Sequence, residues 1–390
     1  MSQANADSAP SRGMLRDLRG REREIVRVLG RFVECESPSH DKAPVDALGE
    51  MVAAEWRRRG AAVRILPQPE RGNHIRAELW VGDGRPAGQV LVLGHLDTVY
   101  PLGTLARMPL RVSGGRLWGP GAFDMKAGLV LALFAVDALK RASIRPRKQM
   151  VFLWTSDEEI GSLTSRRVIE AEARCSDEVL VLEPSLGAEG RLKTSRKGVG
   201  CAELIVTGRA AHAGINPQDG VNAVHELALQ IERLMKMNDP RRGLTVQATV
   251  VAGGSVSNVV PDSARAQVDI RLVRQADAGR IERKLRALGP ILKGARVKVR
   301  GGVNRPPLER TAAVAALFRH AQALAAGLGI DLGEASTGGG SDGNFTGALG
   351  VPTLDGLGAV GDGAHTPREH VIIRKLPERA ALLAGLLASL

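Results

Sequence analysis

The sequence predicts an α/β protein, with one domain on a mostly parallel sheet interrupted by an inserted α+β domain of ferredoxin-like type. Three observations carry that prediction. Apolar strand runs alternate with helical periodicities through the first part of the chain, the signature of parallel strands with helices on both faces. Further on, the order of elements becomes β-α-β-β-α-β, which closes on itself as a separate unit. At 390 residues the chain also exceeds the size of most single compact domains.

Taken in order, residues 1–13 are expected to be a disordered tail. Across 14–33, Leu15, Leu18, Ile25, Val26, Leu29 and Phe32 recur at helical spacing and predict one amphipathic helix. Pro38 interrupts, and 45–59 predicts a second helix. Strands are expected at 62–66, 75–80 and 90–93, the last running into Gly94-His95-Leu96-Asp97. A helix over 126–140 and strands over 150–154 and 179–182 follow. The inserted unit is predicted from strands at 199–206, 244–251, 264–273 and 297–299 and helices at 221–236 and 276–288. Its limits are 197–304, leaving 14–196 and 305–390 to the interrupted domain. Helices at 311–328, 341–349 and 376–390 and a strand at 351–355 complete that domain. The sequence has no internal repeats and no low-complexity tracts.

Composition narrows the function. Hydrophobic residues make up 44% and charged residues 25%, a globular balance that argues against a disordered chain. Aromatics are 3%, too few for base-stacking platforms. Lys and Arg number 54 against 42 Asp and Glu, a net +12, but they are spread along the chain in no long block, so no nucleic-acid partner is expected. Cys35, Cys175 and Cys201 form neither a CxxC pair nor a disulfide framework, which points to a reducing compartment. No stretch of about 18 apolar residues occurs, and the N-terminal residues lack a signal peptide's apolar core. A cytoplasmic protein without membrane association is expected.

Chemistry is marked by polar residues placed just after apolar strands, where α/β folds build their sites. His95 and Asp97 end one strand. Asp157-Glu158-Glu159 end another, and Glu183 a third. Asp124 sits in a glycine-rich run that opens a helix, and His365 in a glycine-rich loop near the C-terminus. Singly, each has a structural explanation: a Gly-Asp loop before a helix is usually an N-cap, and a Glu pair in a loop is usually solvated. Jointly, two histidines and several carboxylates converging on one sheet edge would repel unless a cation neutralised them. Imidazole with carboxylate suits Zn, Mn or Co better than Mg or Ca. No nucleophile elbow and no phosphate-binding Walker loop occurs.

The runs Gly94-His95-Leu96-Asp97-Thr98-Val99, Gly119-x-Gly121-x2-Asp124-x-Lys126-x-Gly128, Asp157-Glu158-Glu159-x-Gly161-Ser162 and Glu183-Pro184 resemble motifs of the M20 metallopeptidase family. Gly208-x3-His212-Ala213-Gly214, Ser257-Asn258-Val259-Val260-Pro261, Asp269-x-Arg271, Gly338-Gly339-Gly340-Ser341-Asp342 and Ala364-His365-Thr366-Pro367 extend the likeness, in order, over nearly the whole chain. Within the family the sequence is most similar to the glutamate carboxypeptidases, the carboxypeptidase G2 type.

The resemblance implies a zinc-peptidase catalytic domain with an inserted dimerisation, or lid, domain. It implies two Zn2+ per subunit, with Co2+ or Mn2+ as substitutes. His95 and Glu183 would hold one ion, Glu159 and His365 the other, and Asp124 would bridge them. Asp97 would orient His95 through its other ring nitrogen, and Glu158 would be the general base. The Asp124–Met125 peptide would be cis. In a homodimer formed through the inserted domain, His212 and Asn258 would reach into the partner subunit's active site, with His212 stabilising the oxyanion. Arg271 would clamp the substrate's α-carboxylate, and Gly338, Gly339 and Gly340 would turn backbone N–H groups to the same group. Read without the family, His212 is a histidine in a glycine-rich turn and Arg271 a surface partner of Asp269.

The implied substrate is a small peptide or N-acyl amino acid, cut before a free C-terminal residue, with glutamate first. Arg191 matches a substrate-binding lysine of the glutamate carboxypeptidases; Lys193, Arg196 and Lys197 lie beside it, and the stretch also reads as a charged linker. Two other activities remain open: an N-acyl amino acid deacylase, or a succinyl-diaminopimelate desuccinylase, whose loop Gly339-Gly340-Ser341-Asp342-Gly343-x-Phe345 also resembles. A catalytically silent binding protein on the same fold is the alternative outside enzymes.

Overall fold

The computed structural model describes residues 8–82 and 84–390. The chain divides into two compact units. One runs up to Ser195 and takes in Arg310–Ser336 and Ser341–Leu390; the other is Arg196–Glu309 with Thr337–Gly340.

The first unit is built on a six-stranded mixed sheet in the order Ala62–Leu66, His74–Leu79, Gln149–Thr155, Gln89–His95, Glu178–Val181, Thr353–Leu354. The last four strands run parallel to one another, and the first two pair antiparallel. The central strands, QVLVLGH and QMVFLWT, are apolar along their length and buried on both faces, as interior parallel strands require. One face is covered by Ala127–Arg141, whose sequence AGLVLALFAV leaves almost no polar side, and Leu376–Ser389 packs against that helix. Trp56, Phe152 and Trp154 stack together in the core, with Trp56 and Phe152 centroids 4.0 Å apart.

Three local expectations need correction. The single helix expected over 14–33 is two, Ser8–Gly20 and Glu22–Glu34. Glycine, a poor helix former, ends the first. Arg21 at the joint turns its guanidinium to Glu24 (2.8 Å) and Asp137 (2.9 Å). The first helix begins inside the segment expected to be a disordered tail, and buries Met14, Leu15 and Leu18; residues 1–7 lie outside the described ones. The stretch after Arg191 is a strand, Leu192–Arg196, and is buried despite its charges. There Thr194 Oγ1 donates to Glu334 (2.7 Å), and Arg196 donates to the carbonyls of Gly339 (3.2 Å) and Gly340 (3.0 Å).

The second unit is a four-stranded antiparallel sheet in the order Thr245–Gly253, Ser263–Leu272, Gly198–Thr207, Arg296–Arg305, packed with helices Ala223–Met235 and Gln275–Arg286. This is the ferredoxin-like arrangement. Its two central strands alternate buried with more exposed residues, and Leu204, Val206, Val268 and Ile270 meet Leu227, Leu234 and Ile281 of the helices in a separate core. Thr245–Gly253 lies at the sheet edge, carries an irregularity between Ala248 and Val250, and leaves Val250 and Val251 more than half exposed. Among the described residues no helix is long and apolar enough to cross a membrane. Cys35, Cys175 and Cys201 are free thiols.

Candidate metal centre

Three neighbouring parallel strands carry their polar residues to one edge. His95 is the last residue of Gln89–His95, level with Thr155 on one neighbour, which runs on into Asp157-Glu158-Glu159. The other neighbour, Glu178–Val181, continues through Leu182 to Glu183. Asp124 comes from a wide turn at the head of Ala127–Arg141, entered through Gly121 at φ +70° and containing the cis Asp124–Met125 peptide. A side chain on Gly128 would run into the Leu182 carbonyl, so glycine lets this helix start close behind Glu183. His365 lies between Gly361–Asp362 and His370–Ile372 at φ +60°, a conformation that non-glycine residues adopt rarely and mostly where the surroundings impose it.

These segments bring the side chains together. His95 Nε2 stands 3.4 Å from Asp124 Oδ1 and 3.6 Å from Glu183 Oε1. His365 Nε2 stands 3.3 Å from Asp124 Oδ2 and 3.2 Å from Glu159 Oε1. His95, Glu158 and Glu183 offer donor atoms within 4.8 Å of one another, as do His95, Asp124 and Glu159. Asp124 Oδ1 is buried and receives no hydrogen bond within normal geometry, with His95 Nε2 3.4 Å away. Nitrogen and oxygen ligands about 2.0–2.1 Å from a tetrahedral ion stand about 3.3–3.4 Å apart. The observed spacings are those of such edges, so the residues fit divalent ions.

The electrostatics agree. Burial lowers the His95 pKa, yet the facing carboxylates of Asp124, Asp97 and Glu183 hold it well above the ordinary imidazole value. Asp124 and Glu159 push His365 up to about 11. Burial raises Asp124, but His365 and His95 pull it far below the usual carboxylate range. Glu159 is raised, chiefly by burial. Without an ion, imidazolium protons carry the positive charge the carboxylates demand.

Asp97 lies in the same cluster with a different set of contacts from the one expected. His95 Nδ1 donates to the Asp97 backbone carbonyl (2.9 Å), while the carboxylate Oδ1 is 3.5 Å away. The carboxylate instead accepts the backbone N–H groups of Glu158 (Oδ1, 3.2 Å) and Glu159 (Oδ2, 3.2 Å). Behind that loop, buried Asp157 accepts from Thr164 Oγ1 (2.8 Å) and Ser165 Oγ (2.6 Å). Asp342 accepts from Thr155 Oγ1 (2.9 Å) and from Ser162. Sequence reasoning passed over two further residues, Glu369 and Tyr100, whose hydrogen bond (2.6 Å) lies against the Asp124 turn. The one signal was a glutamate four places after His365, in a run already rich in polar residues.

Arg191 is exposed, with Glu189 3.8 Å away. In the second unit, Arg271 forks onto Asp269 (2.9–3.1 Å) and donates to the Gly338 carbonyl (3.3 Å). The expected N–H donors Gly339 and Gly340 use their carbonyls to accept from Arg196. Ala211–His212 pairs with Val259–Val260, which sets His212 beside Asn258, whose carbonyl accepts from Ala213 N–H (2.9 Å). His212 Nδ1 accepts the N–H groups of Gly214 and Ile215 (3.1 Å each), so the neutral ring carries its proton on exposed Nε2.

Two histidines and three carboxylates gathered at ligand spacing beside one sheet edge define a candidate metal centre of a metal-dependent enzyme. Residues 91–389 match peptidase family M20/M25/M40, and the chain belongs to that family. Carboxypeptidase G2 of Pseudomonas sp. (strain RS-16) is 33% identical over 377 residues, covering 94% of this chain and 89% of the relative. Succinyl-diaminopimelate desuccinylase of Dechloromonas aromatica (strain RCB) is 27% identical over 337 residues, 80% of this chain and 86% of the relative. The crystal structure of the Bacillus subtilis YXEP protein, described as a dinuclear metal binding peptidase from the M20 family, superposes with a TM-score of 0.67 at 16% identity. That match covers 94% of this chain and 97% of the other.

Proposed function

We propose that the protein is a di-zinc hydrolase that cleaves the amide bond before a free C-terminal amino acid, with glutamate preferred. The observation that carries this is the spacing of His95, Asp124, Glu159, Glu183 and His365, with the Asp124 oxygen that nothing else satisfies. His95 and Glu183 would hold one ion and Glu159 and His365 the other, with Asp124 near both histidines. Bound there, the ions supply Lewis acidity to the scissile carbonyl and to the attacking water.

Glu158 takes a proton from that water as its oxygen bonds to the carbonyl carbon. It returns the proton to the amide nitrogen as the C–N bond breaks. Asp97 holds Glu158 and Glu159 in place through their backbone amides. In the homodimer His212, with Asn258 beside it, would donate from Nε2 to the oxyanion developing in the partner subunit's active site, and Arg271 with the Gly338–Gly340 loop would receive the substrate carboxylate. Preference for glutamate is supported by the relationship to carboxypeptidase G2 and by the exposed guanidinium of Arg191. The exposed edge strand Thr245–Gly253, with Val250 and Val251, supports a homodimer through the inserted unit. Three free thiols support a cytoplasmic location.

The test is a release assay with zinc supplied, comparing N-acyl- and peptidyl-glutamates with N-succinyl and N-acetyl amines. Glutamate release at the highest kcat/KM supports the reading, and faster desuccinylation refutes the glutamate preference. Glu158→Gln should keep its metal and lose about 10²–10⁴-fold in kcat; full activity in that variant removes Glu158 from the mechanism.

A further inference from the structure

Glu369 is wholly buried, and the steps above leave it without a role. Its Oε1 accepts the backbone N–H groups of Phe123 (2.8 Å) and Asp124 (2.9 Å). Its Oε2 accepts the hydroxyl of Tyr100 (2.6 Å). Tyr100 Oη also lies 3.0 Å from the Thr366 carbonyl, and the Glu369 N–H donates to that carbonyl (3.1 Å). Three chain segments therefore meet at one carboxylate: the loop after the central strand, the turn that presents Asp124, and the loop that presents His365. A carboxyl withdrawn from water is tolerated where hydrogen bonds satisfy it, as they do here.

The two presented side chains are themselves neighbours, with Asp124 Oδ2 3.3 Å from His365 Nε2. Glu369 bonds the backbone N–H of one and lies four residues from the other. We propose that Glu369 and Tyr100 form a positioning pair that sets the spacing of Asp124 and His365, and thereby the affinity for the ion on the Glu159–His365 side. The inference rests on the two-ion reading of the site. It predicts an unequal effect: Asp124 faces both sides, but His365 faces only one, so the ion on the His95–Glu183 side, whose other ligands belong to other segments, should be weakened less.

Metal-stripped protein is titrated with Co2+ and followed by visible absorption. Wild type should take up two ions in distinguishable steps. Tyr100→Phe removes one hydroxyl, and Glu369→Gln keeps an acceptor for the two backbone N–H groups. Tyr100→Phe should weaken one step by about 10- to 100-fold, the usual effect of removing an outer-shell partner, and the other by clearly less. Activity lost at limiting Co2+ should return in excess Co2+. Glu369→Ala should be worse than Glu369→Gln; if it does not fold, Tyr100→Phe decides. Wild-type affinities for both ions in Tyr100→Phe, or equal weakening of both steps together with a lower Tm, would overturn the inference alone. A wild-type protein that takes up fewer than two ions would overturn the two-ion reading and the inference with it.

Discussion

Asp97→Asn keeps the size of a side chain that is 0% exposed and removes its charge. Both carboxylate oxygens are in use, one on the N–H of Glu158 and one on that of Glu159. A carboxamide has a single acceptor oxygen and turns its NH2 toward the second amide. One charge-assisted bond is lost, about 1.5–3 kcal/mol, and the buried N–H left without an acceptor adds about 1 kcal/mol. The metal-free variant should therefore be about 2.5–4 kcal/mol less stable, read from urea unfolding of chelated protein.

With metal present, kcat and metal affinity should fall together, because Glu158 and Glu159 both ride on those amides. If Asp97 served only to aim His95, saturating zinc would restore kcat. The pH dependence follows from the direction of the Asp97 shift: burial raises its pKa, but His95 brings it below the ordinary 3.8. A depressed carboxyl contributes stability above the unfolded value and loses it as pH falls through the folded one. The gap between wild type and variant should be constant over about pH 5–8 and close in acid. A gap under about 0.5 kcal/mol, the scale of an inert surface change, or one that widens in acid, refutes the account.

Further outcomes are expected. His95 and His365 have raised values in the metal-free protein, so they stay protonated past the ordinary 6.5, and their contribution to stability fades only as pH rises through the folded values, about 11 for His365. Metal binding near neutral pH should then expel about two protons per chain; calorimetry in two buffers of different ionisation enthalpy measures this, and zero release contradicts it. Val250→Lys combined with Val251→Lys, on the exposed edge strand, should shift the protein to monomer mass by light scattering. Arg191→Met should raise KM for glutamate substrates about tenfold or more with kcat unchanged, whereas no change assigns Arg191 to a charged surface.

The strands were legible because interior parallel strands are apolar along their length, and the site because each such strand stops at a histidine or a carboxylate. Those signals placed His95, Glu158, Glu159 and Glu183 at one sheet edge. The inserted unit was legible for a different reason: half-buried antiparallel strands alternate in polarity, as Ser263–Leu272 does. Buried polar chemistry was not legible. Leu192–Arg196 reads as a charged surface because its partners, Glu334 and the carbonyls of Gly339 and Gly340, are far away in the sequence. The same holds for Glu369, whose donors are Tyr100, Phe123 and Asp124. Asp97 was placed correctly beside His95, but a motif names a residue without saying which of its atoms meets which neighbour. At the helix break, Arg21 meets Asp137, more than a hundred positions on, a contact no local pattern announces.

The ligands extend from His95 to His365, with the whole inserted unit between Glu183 and His365. A nascent chain cannot close this cup until residue 365 has left the ribosome, so on the two-ion reading the complete site forms only late in synthesis. Because unfolded chains lack the assembled site, bound ions add their free energy to the folded form only, about 2.7 kcal/mol at a free concentration one hundred times Kd. On the two-ion reading, metal supply would then set the stability of the folded form as well as the completeness of the site.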